Sequence, residues 1–588
     1  MSTFHQPSGS DNLGWRGLLV PLAPALLVYL ALIGIAVFRG LHVISVDDLM
    51  RHLLSTRLFS TNAPETANIG DDLYYWPWGH LIMVRLAIET LGHYLPEVGS
   101  IVLFHVMAGF AAVCASGWLA RLLGASDKGV AVAAFLFATM NYTPLLGISI
   151  LSDLPCALFV MLGFGLHLRA FRREGAITHR MLLPGDFAYA IAASMRYEAW
   201  PLAMVVGLAS TWAHLRRTGD RFPVFASQTM VRGLVYSAFP IFWLLLNTAR
   251  FDGNPFFFRE IAASRIDGQR GFMEELGFNS LVFWLTAPAA WVMLLSAALW
   301  RAIQKPAIPA PPALVPRFMG LPLLIGLAIL WAVFQLASAL SIGRASNLPD
   351  RLMYTPAALL VPLVGCLVGH WFRGGTTWLR RGLVLGLLMV SLAIPLHEVL
   401  TRSPFRRSMP IHLAETLEAT RKRLAYDKDD AVRFTVDWNK YPAMFPIWIA
   451  GRHYDFEWTG YTPELRRKLN IWHIDPEKTR FFITDNDRLV RDAILRYPWV
   501  AVYKEDDVWF FLDLRGNNDI ELESMMTASP RVKYLRSGST RPKTLPKPGP
   551  AKADTDTTTT LPKLAVGTSN AATTRPASLP PPPPEAPR

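Results

Sequence analysis

Eleven apolar runs, most of them close to the length of a bilayer-crossing helix, govern what this chain can fold into. They lie at about 18–38, 99–123, 129–149, 152–171, 184–195, 199–214, 231–249, 279–300, 318–340, 354–372 and 382–400. A bilayer core takes about 20 helical residues to cross. Inside it every backbone N–H and C=O must be paired within the protein, which a helix achieves alone. A chain that is 52% hydrophobic and 18% charged belongs to the same integral membrane class. The net charge of +13 would suggest nucleic acid in a soluble protein. Here the basic residues sit in short loops between apolar runs, where they set topology, so no nucleic-acid partner is expected. Cys114, Cys156 and Cys366 lie inside apolar runs and read as buried thiols. The first run has no small-residue cleavage site and reads as a retained helix.

The runs 184–195 and 199–214 make about one long helix or two short ones. Arg172, Arg173 and Arg180 precede the pair, and Arg216, Arg217 and Arg221 follow it. Positive charge marks the cytoplasmic side, and a single crossing cannot leave both flanks there. Two short helices can, with Ser194-Met195-Arg196-Tyr197-Glu198 as an outward-facing turn. The loops near 124–128, 172–183, 215–230, 301–317 and 373–381 then come out cytoplasmic. The loops 39–98, 250–278 and 341–353 and everything after 400 come out external.

The first external loop, 39–98, has structure of its own. Residues 47–58 fit a short helix carrying Asp47, Asp48, Arg51 and His52. Asp71, Asp72 and the cluster Tyr74-Tyr75-Trp76-Pro77-Trp78 suit the membrane interface, and 80–93 reads as an interfacial helix. From about 401 the composition changes. A polar helix at 411–430 precedes β-rich runs at 432–436, 480–484, 500–503 and 508–512, with a helix at 486–496 between the second and third. This predicts a small extracytoplasmic α/β domain over 401–540. Residues 541–588 are rich in Pro and Thr and are expected to be disordered.

The sequence holds no phosphate-binding glycine loop, no Cys-x-x-Cys pair and no His-Glu-x-x-His. Topology instead places a set of polar residues on one side of the membrane: Asp47, Asp48, Asp71, Asp72, His80, Asp153, Arg196, Glu198, Arg265, Asp267, Arg270, Arg344, Asp350 and Arg351. Each has an ordinary structural explanation. Asp47, Asp48 and Asp153 suit helix caps, and Arg196 with Glu198 suits an ion pair. Arg351 suits a headgroup anchor, and Asp71, Asp72 and His80 suit interface positions. Their weight comes from falling together on one face.

The arrangement resembles the GT-C glycosyltransferases, multispanning enzymes that use polyprenyl-phosphate sugars, such as the protein O-mannosyltransferase and aminoarabinose transferase families. Val46-Asp47-Asp48-Leu49 stands where that family has an acidic pair after its first span. Tyr74-Tyr75-Trp76-Pro77-Trp78 is similar to its aromatic loop. Ser152-Asp153-Leu154-Pro155, Met195-Arg196-Tyr197-Glu198 and Asp350-Arg351-Leu352-Met353-Tyr354-Thr355-Pro356 match its acidic and basic positions at later span ends. The first pair is Asp-Asp, where many relatives have Asp-Glu.

The resemblance implies a polytopic α-helical catalytic domain over 1–400. Its expected partners are membrane lipids, a polyprenyl-phosphate sugar, and a lipid, glycan or protein acceptor. The expected location is the bacterial inner (plasma) membrane. Asp47, or next Asp48, would be the general base. Arg196 and Arg351 would stabilise the departing phosphate. Asp153 and Glu198 would either hold a divalent metal, Mg or Mn, or orient those arginines. The alternative is a transporter or flippase, which commonly places ionisable residues near the bilayer midplane and shows inverted repeats. The sequence shows no such repeat, and its charges are expected at span ends.

Overall fold

The computed structural model describes residues 15–42, 48, 51–52, 54–55, 77–172, 177–219, 222–257, 271–304, 319–342, 349–371 and 378–402, together with six short strands and one helix between 434 and 536. Asp47, residues 61–76, Arg265, Asp267, Arg270, Arg344, the expected helix at 411–430 and the tail 541–588 lie outside the described residues.

The membrane region is a helical bundle. In chain order it comprises α1 (Trp15–Phe38), α2 (Trp78–Leu91), α3 (Glu97–Leu122), α4 (Asp127–Ala138), α5 (Thr143–Leu146), α6 (Asp153–Arg172), α7 (His179–Met195), α8 (Ala199–Thr218) and α9 (Phe222–Arg250). It continues with α10 (Phe272–Thr286), α11 (Pro288–Gln304), α12 (Leu321–Ile342), a 3-10 turn (Pro349–Met353), α13 (Tyr354–Trp371) and α14 (Trp378–Thr401). Charge at several ends agrees with the helix dipole: α6 starts on Asp153 and carries Arg169 and Arg172 in its last turn. The α7–α8 break falls where the basic flanks place it, at Arg196-Tyr197-Glu198.

Among the described residues, seven helices are long and apolar enough to cross a membrane, or eight if α10 and α11 are counted as one broken span. Of the about eleven spans expected, two of them the short helices 184–195 and 199–214, these seven or eight are present by length and composition among the described residues. The run 129–149 stops as a helix at Ala138 and resumes only as the single turn α5. Pro144 has no N–H for the carbonyl four residues back, and the Thr139 hydroxyl bonds the Phe135 carbonyl at 2.8 Å. The run 279–300 bends by 92° between α10 and α11. Pro288 opens α11 and lacks the N–H that would bond the Trp284 carbonyl, and the Thr286 carbonyl at the end of α10 accepts the Asn141 N–H at 3.0 Å. At 17 residues, α7 is a short helix.

The core lies where α1, α3, α4, α6, α7 and α13 meet, with Tyr29, Phe137, Phe164, Tyr189 and Tyr354 fully enclosed. Lipid is as apolar as these side chains, so close contact rather than water exclusion holds such helices together. The α4–α13 crossing is the clearest instance. A Cβ on Gly365 would fall 2.4 Å from the Gly129 carbonyl oxygen and 2.5 Å from the Ala133 Cβ. The helix backbones touch because neither position has a side chain. At the C-terminal end of α1, Arg39 donates to the Leu400 and Arg402 carbonyls, within and just beyond the end of α14.

The strands β1 (Phe434–Val436), β2 (Phe456–Trp458), β3 (Phe481–Thr484), β4 (Ala501–Glu505), β5 (Trp509–Asp513) and β6 (Val532–Arg536) form one sheet in the order β2-β1-β3-β5-β4-β6. β1 runs parallel to β2 and β3, and the remaining pairs are antiparallel. The helix α15 (Asp487–Arg496) lies between β3 and β4 in sequence. The four β-rich runs of the sequence fall on β1, β3, β4 and β5; β2 and β6 were not anticipated.

Overpacking a tight contact costs about 1–3 kcal/mol. Gly365→Val should therefore lower the thermal midpoint of the detergent-purified protein, whereas a change at Gly386, whose added Cβ meets nothing within 4 Å, should not.

Candidate active site

Four of the residues singled out by topology meet at one end of the bundle. Arg196 caps the C-terminus of α7 in extended backbone, which turns its side chain off the helix. Its NH1 donates to Asp153 Oδ1 at 2.5 Å, its NH2 to Glu198 Oε1 at 2.7 Å and its Nε to Glu198 Oε2 at 3.2 Å. The grip on Glu198 is bidentate, the geometry a guanidinium fork favours. Gln335 of α12 donates to Glu198 Oε1 at 2.5 Å, and Arg196 lies 6.0 Å from the Trp331 ring. Arg351, in the 3-10 turn before α13, places NH1 3.9 Å from Asp153 Oδ2. That separation is an ion pair without a hydrogen bond.

All of these groups are buried or nearly so. Burial by itself would lower the Arg196 pKa, but Asp153 and Glu198 outweigh it and raise it. Burial would raise Glu198, and the Arg196 charge outweighs it and lowers it. The pair is therefore ionised. Asp153 is asymmetric. Oδ1 receives Arg196, whereas Oδ2 is buried without a hydrogen-bond partner. A buried acceptor left open in this way suits an incoming donor.

Asp48 belongs to the same end of the molecule. It is fully buried, and its Oδ1 accepts the Ile150 N–H at 2.6 Å, three residues before Asp153. Its neighbour Asp47 lies outside the described residues. The segment carrying Asp48 is held against α2 and α3 by two further contacts. Arg51 NH1 meets His80 Nδ1 at 3.2 Å, and His52 Nε2 meets Glu97 Oε1 at 2.5 Å.

His80 is not the exposed interface residue expected from its place beside the aromatic loop. It is fully buried because α2 starts against the end of α7: a Cβ on Gly79 would overlap Ser194. Burial, followed by the charges of Arg51, His105 and Arg196, holds its pKa well below the ordinary imidazole value. His105, Gln335 and Trp331 were also missed. Their signal was a lone polar or amphipathic side chain inside an apolar run.

A second buried charge group lies nearer the start of α7. Asp186 is fully buried between helices. Its Oδ1 accepts His167 Nε2 at 2.8 Å, Arg232 NH2 at 2.7 Å and Tyr236 Oη at 2.5 Å, and its Oδ2 accepts Arg232 Nε at 2.7 Å. Arg232 also donates to Ser210 and Thr211. A charge this deep is tolerated because it is neutralised and bonded on every side.

Among the described residues no three His, Cys, Asp or Glu side chains gather as a metal-binding group. Asp153 and Glu198 do not fit the divalent site considered for them. Both Glu198 oxygens and one Asp153 oxygen are taken by Arg196, the arrangement of the other role considered for them, orienting an arginine.

No family model and no curated protein sequence matches the chain. Its backbone is similar to that of ArnT from Cupriavidus metallidurans bound to undecaprenyl phosphate. The TM-score is 0.53 at 14% identity, over 87% of this chain and 99% of that one. The chain shares the fold of that protein. A weaker likeness, with a TM-score of 0.46 at 12% identity, is to the Archaeoglobus fulgidus oligosaccharyltransferase over 84% of this chain and 74% of that one. In this fold Asp48, Asp153, Arg196, Glu198 and Arg351 come from four separate stretches of sequence.

Removing one partner of a buried ion pair costs about 3–5 kcal/mol, because the other charge is stranded. Glu198→Gln should lower the unfolding midpoint of the purified protein clearly. Arg196→Gln combined with Glu198→Gln should lower it by less than the sum of the two single changes.

Proposed function

We propose that this chain is a membrane glycosyltransferase that moves a sugar from a polyprenyl-phosphate donor to a lipid, glycan or protein acceptor. On this reading it sits in a bacterial inner (plasma) membrane, with the site and the residues after 400 on the extracytoplasmic side. The observation that supports it most is the buried group Asp153–Arg196–Glu198–Arg351 with Asp48 beside it, where one carboxylate oxygen is left open among ionised partners. The ArnT whose fold it shares was crystallised with undecaprenyl phosphate, a lipid of the class required here.

Transfer needs three things at one place. The acceptor O–H or N–H must lose its proton, its lone pair must form a bond to the anomeric carbon, and the bond from that carbon to the phosphate oxygen must break. A carboxylate next to the acceptor takes the proton. Asp47, or next Asp48, fills that role; Asp48 is bonded to the Ile150 N–H, three residues before Asp153. The phosphate leaves with added negative charge, and a pre-oriented guanidinium in a water-poor site stabilises it. Arg196 and Arg351 are the candidates for this role, and both stand in ion-pair range of Asp153. Arg196 then sets the position of Asp153, whose second oxygen is placed to orient an incoming hydroxyl or amine. The lipid-linked donor explains why no nucleotide-binding loop is needed. No step here runs through a metal.

The Asp186 network is a feature that a transporter would share, since it puts ionisable groups inside the bundle. It favours that reading little, because both Asp186 oxygens are occupied from within the protein and no open position faces a cargo.

Full-length protein in nanodiscs, incubated with a panel of labelled polyprenyl-phosphate sugars, should transfer label from one of them. Loss of general acid–base catalysis costs about 10²–10⁴-fold, so turnover should fall by that order in Asp47→Asn or Asp48→Asn, with the protein still folded. If both variants turn over at the wild-type rate, the base is elsewhere and this reading fails. Orientation is tested separately. A cysteine replacing Tyr197 should react with a membrane-impermeant thiol reagent added from outside; reaction only after the membrane is opened would reverse the topology.

A further inference from the structure

The segment that carries Asp48 is external to the bundle, yet Asp48, Arg51, His52, Leu54 and Ser55 are all buried. Something must hold it in register with the ion-pair group. One hold is the Ile150 N–H on Asp48, and a second is the His52–Glu97 contact. The third runs through two imidazoles, and its hydrogen-bond directions can be deduced.

His105 Nδ1 lies 2.9 Å from the Ile101 carbonyl oxygen. A carbonyl only accepts, so Nδ1 of His105 carries the proton. In the neutral ring, Nε2 of His105 is then a lone pair. It lies 3.1 Å from His80 Nε2, which must therefore be the donor. That leaves His80 Nδ1 as the lone pair, and it meets Arg51 NH1, which can only donate, at 3.2 Å. The Ile101 carbonyl thus dictates each link in turn out to Arg51. An extra proton on His105 would set N–H against N–H between the rings. An extra proton on His80 would set N–H against the guanidinium. Only the doubly neutral pair satisfies every contact, and both rings are fully buried.

We propose that His80 and His105 are positioning residues that act through Arg51 to hold the Asp48 segment against the ion-pair group. Arg51 and Asp48 are three residues apart, close to one helical turn, so fixing the guanidinium fixes the carboxylate beside it. His80 also stands where α2 meets the end of α7, since a Cβ on its neighbour Gly79 would overlap Ser194. The relay therefore lies between the Asp48 segment and the end of α7. The proposal takes from the functional reading only that Asp48 belongs to the site.

Two substitutions at one position separate hydrogen bonding from packing. His105→Phe keeps a ring against His80 and Phe104, where edge contacts already exist, but has no acceptor. His105→Gln places an amide oxygen near the Nε2 position and can still accept from His80. Amide hydrogen exchange is followed by mass spectrometry on full-length protein in detergent, reading peptides that cover residues 48–55. Losing a buried hydrogen-bond partner should speed exchange there by about tenfold or more in His105→Phe. His105→Gln should return it to near the wild-type rate. Should His105→Phe not fold, Arg51→Met leaves both rings in place and should give the same acceleration. Wild-type exchange in the variants that lack the link would overturn the proposal. Equal acceleration in His105→Phe and His105→Gln would also overturn it, since ring packing would then be the cause.

The same samples, measured with added undecaprenyl phosphate, test the functional reading independently. No protection of wild-type peptides by the lipid would count against a polyprenyl-phosphate site while leaving the relay result intact.

Discussion

A guanidinium enclosed by two carboxylates is the interaction on which the membrane region depends. Arg196 cannot be buried alone, because desolvating a charge without a partner costs more than a domain can spare. Its partners must therefore arrive together. Asp153 comes from the start of α6 and Glu198 from the start of α8, while Gln335 reaches in from α12. The extended backbone at Arg196 ends α7 and aims the side chain at this meeting point. The short α7–α8 hairpin, the start of α6 and the turn before α13 are thus mutually constrained. Arg351 stands at the edge of this group, in ion-pair range of Asp153 but beyond hydrogen-bond distance.

Two buried charge groups share α7, and they differ in a way that bears on function. Asp186 and Arg196 are ten residues apart, roughly 15 Å along a helix. Around Asp186 both carboxylate oxygens are bonded from within the protein, and the Arg232 guanidinium is shared among Asp186, Ser210 and Thr211. Such a closed network joins α6, α7, α8 and α9 and asks nothing of a ligand. Around Asp153 one oxygen remains open at the end of the bundle. Closed networks hold helices together; an open acceptor beside ionised groups is where a substrate can complete the bonding.

The first loop shows how an extramembrane segment is recruited into such a site. Its acidic residues would be mobile and fully solvated on a free loop, and a solvated carboxylate is a weak and unplaced base. Burial against α2, α3 and the Ile150 backbone restricts Asp48 to one location. The small residues that permit this closeness, Gly79 against Ser194 above all, bring α2 to the end of α7 and so carry His80 to within reach of Arg51.

The sequence by itself determined the class and much of the layout of this protein. Apolar run length requires helices in a bilayer, since only they pair their own backbone. The distribution of Arg and Lys between those runs required the α7–α8 turn at Arg196. Sorting polar residues by side gave fourteen candidates, among them Asp48, Asp153, Arg196, Glu198 and Arg351, which the structure brings to one end of the bundle. Tertiary structure decided what no periodicity records. The run 279–300 bends by 92° at Pro288, and the Thr286 carbonyl at the break is paired by Asn141, remote in sequence. Burial in protein accommodates such short and broken helices. His80, His105, Gln335 and the Asp186 network belong to the same category. Each is a polar side chain whose burial is acceptable only once its partner, from another helix, is in place, and that pairing exists only in three dimensions.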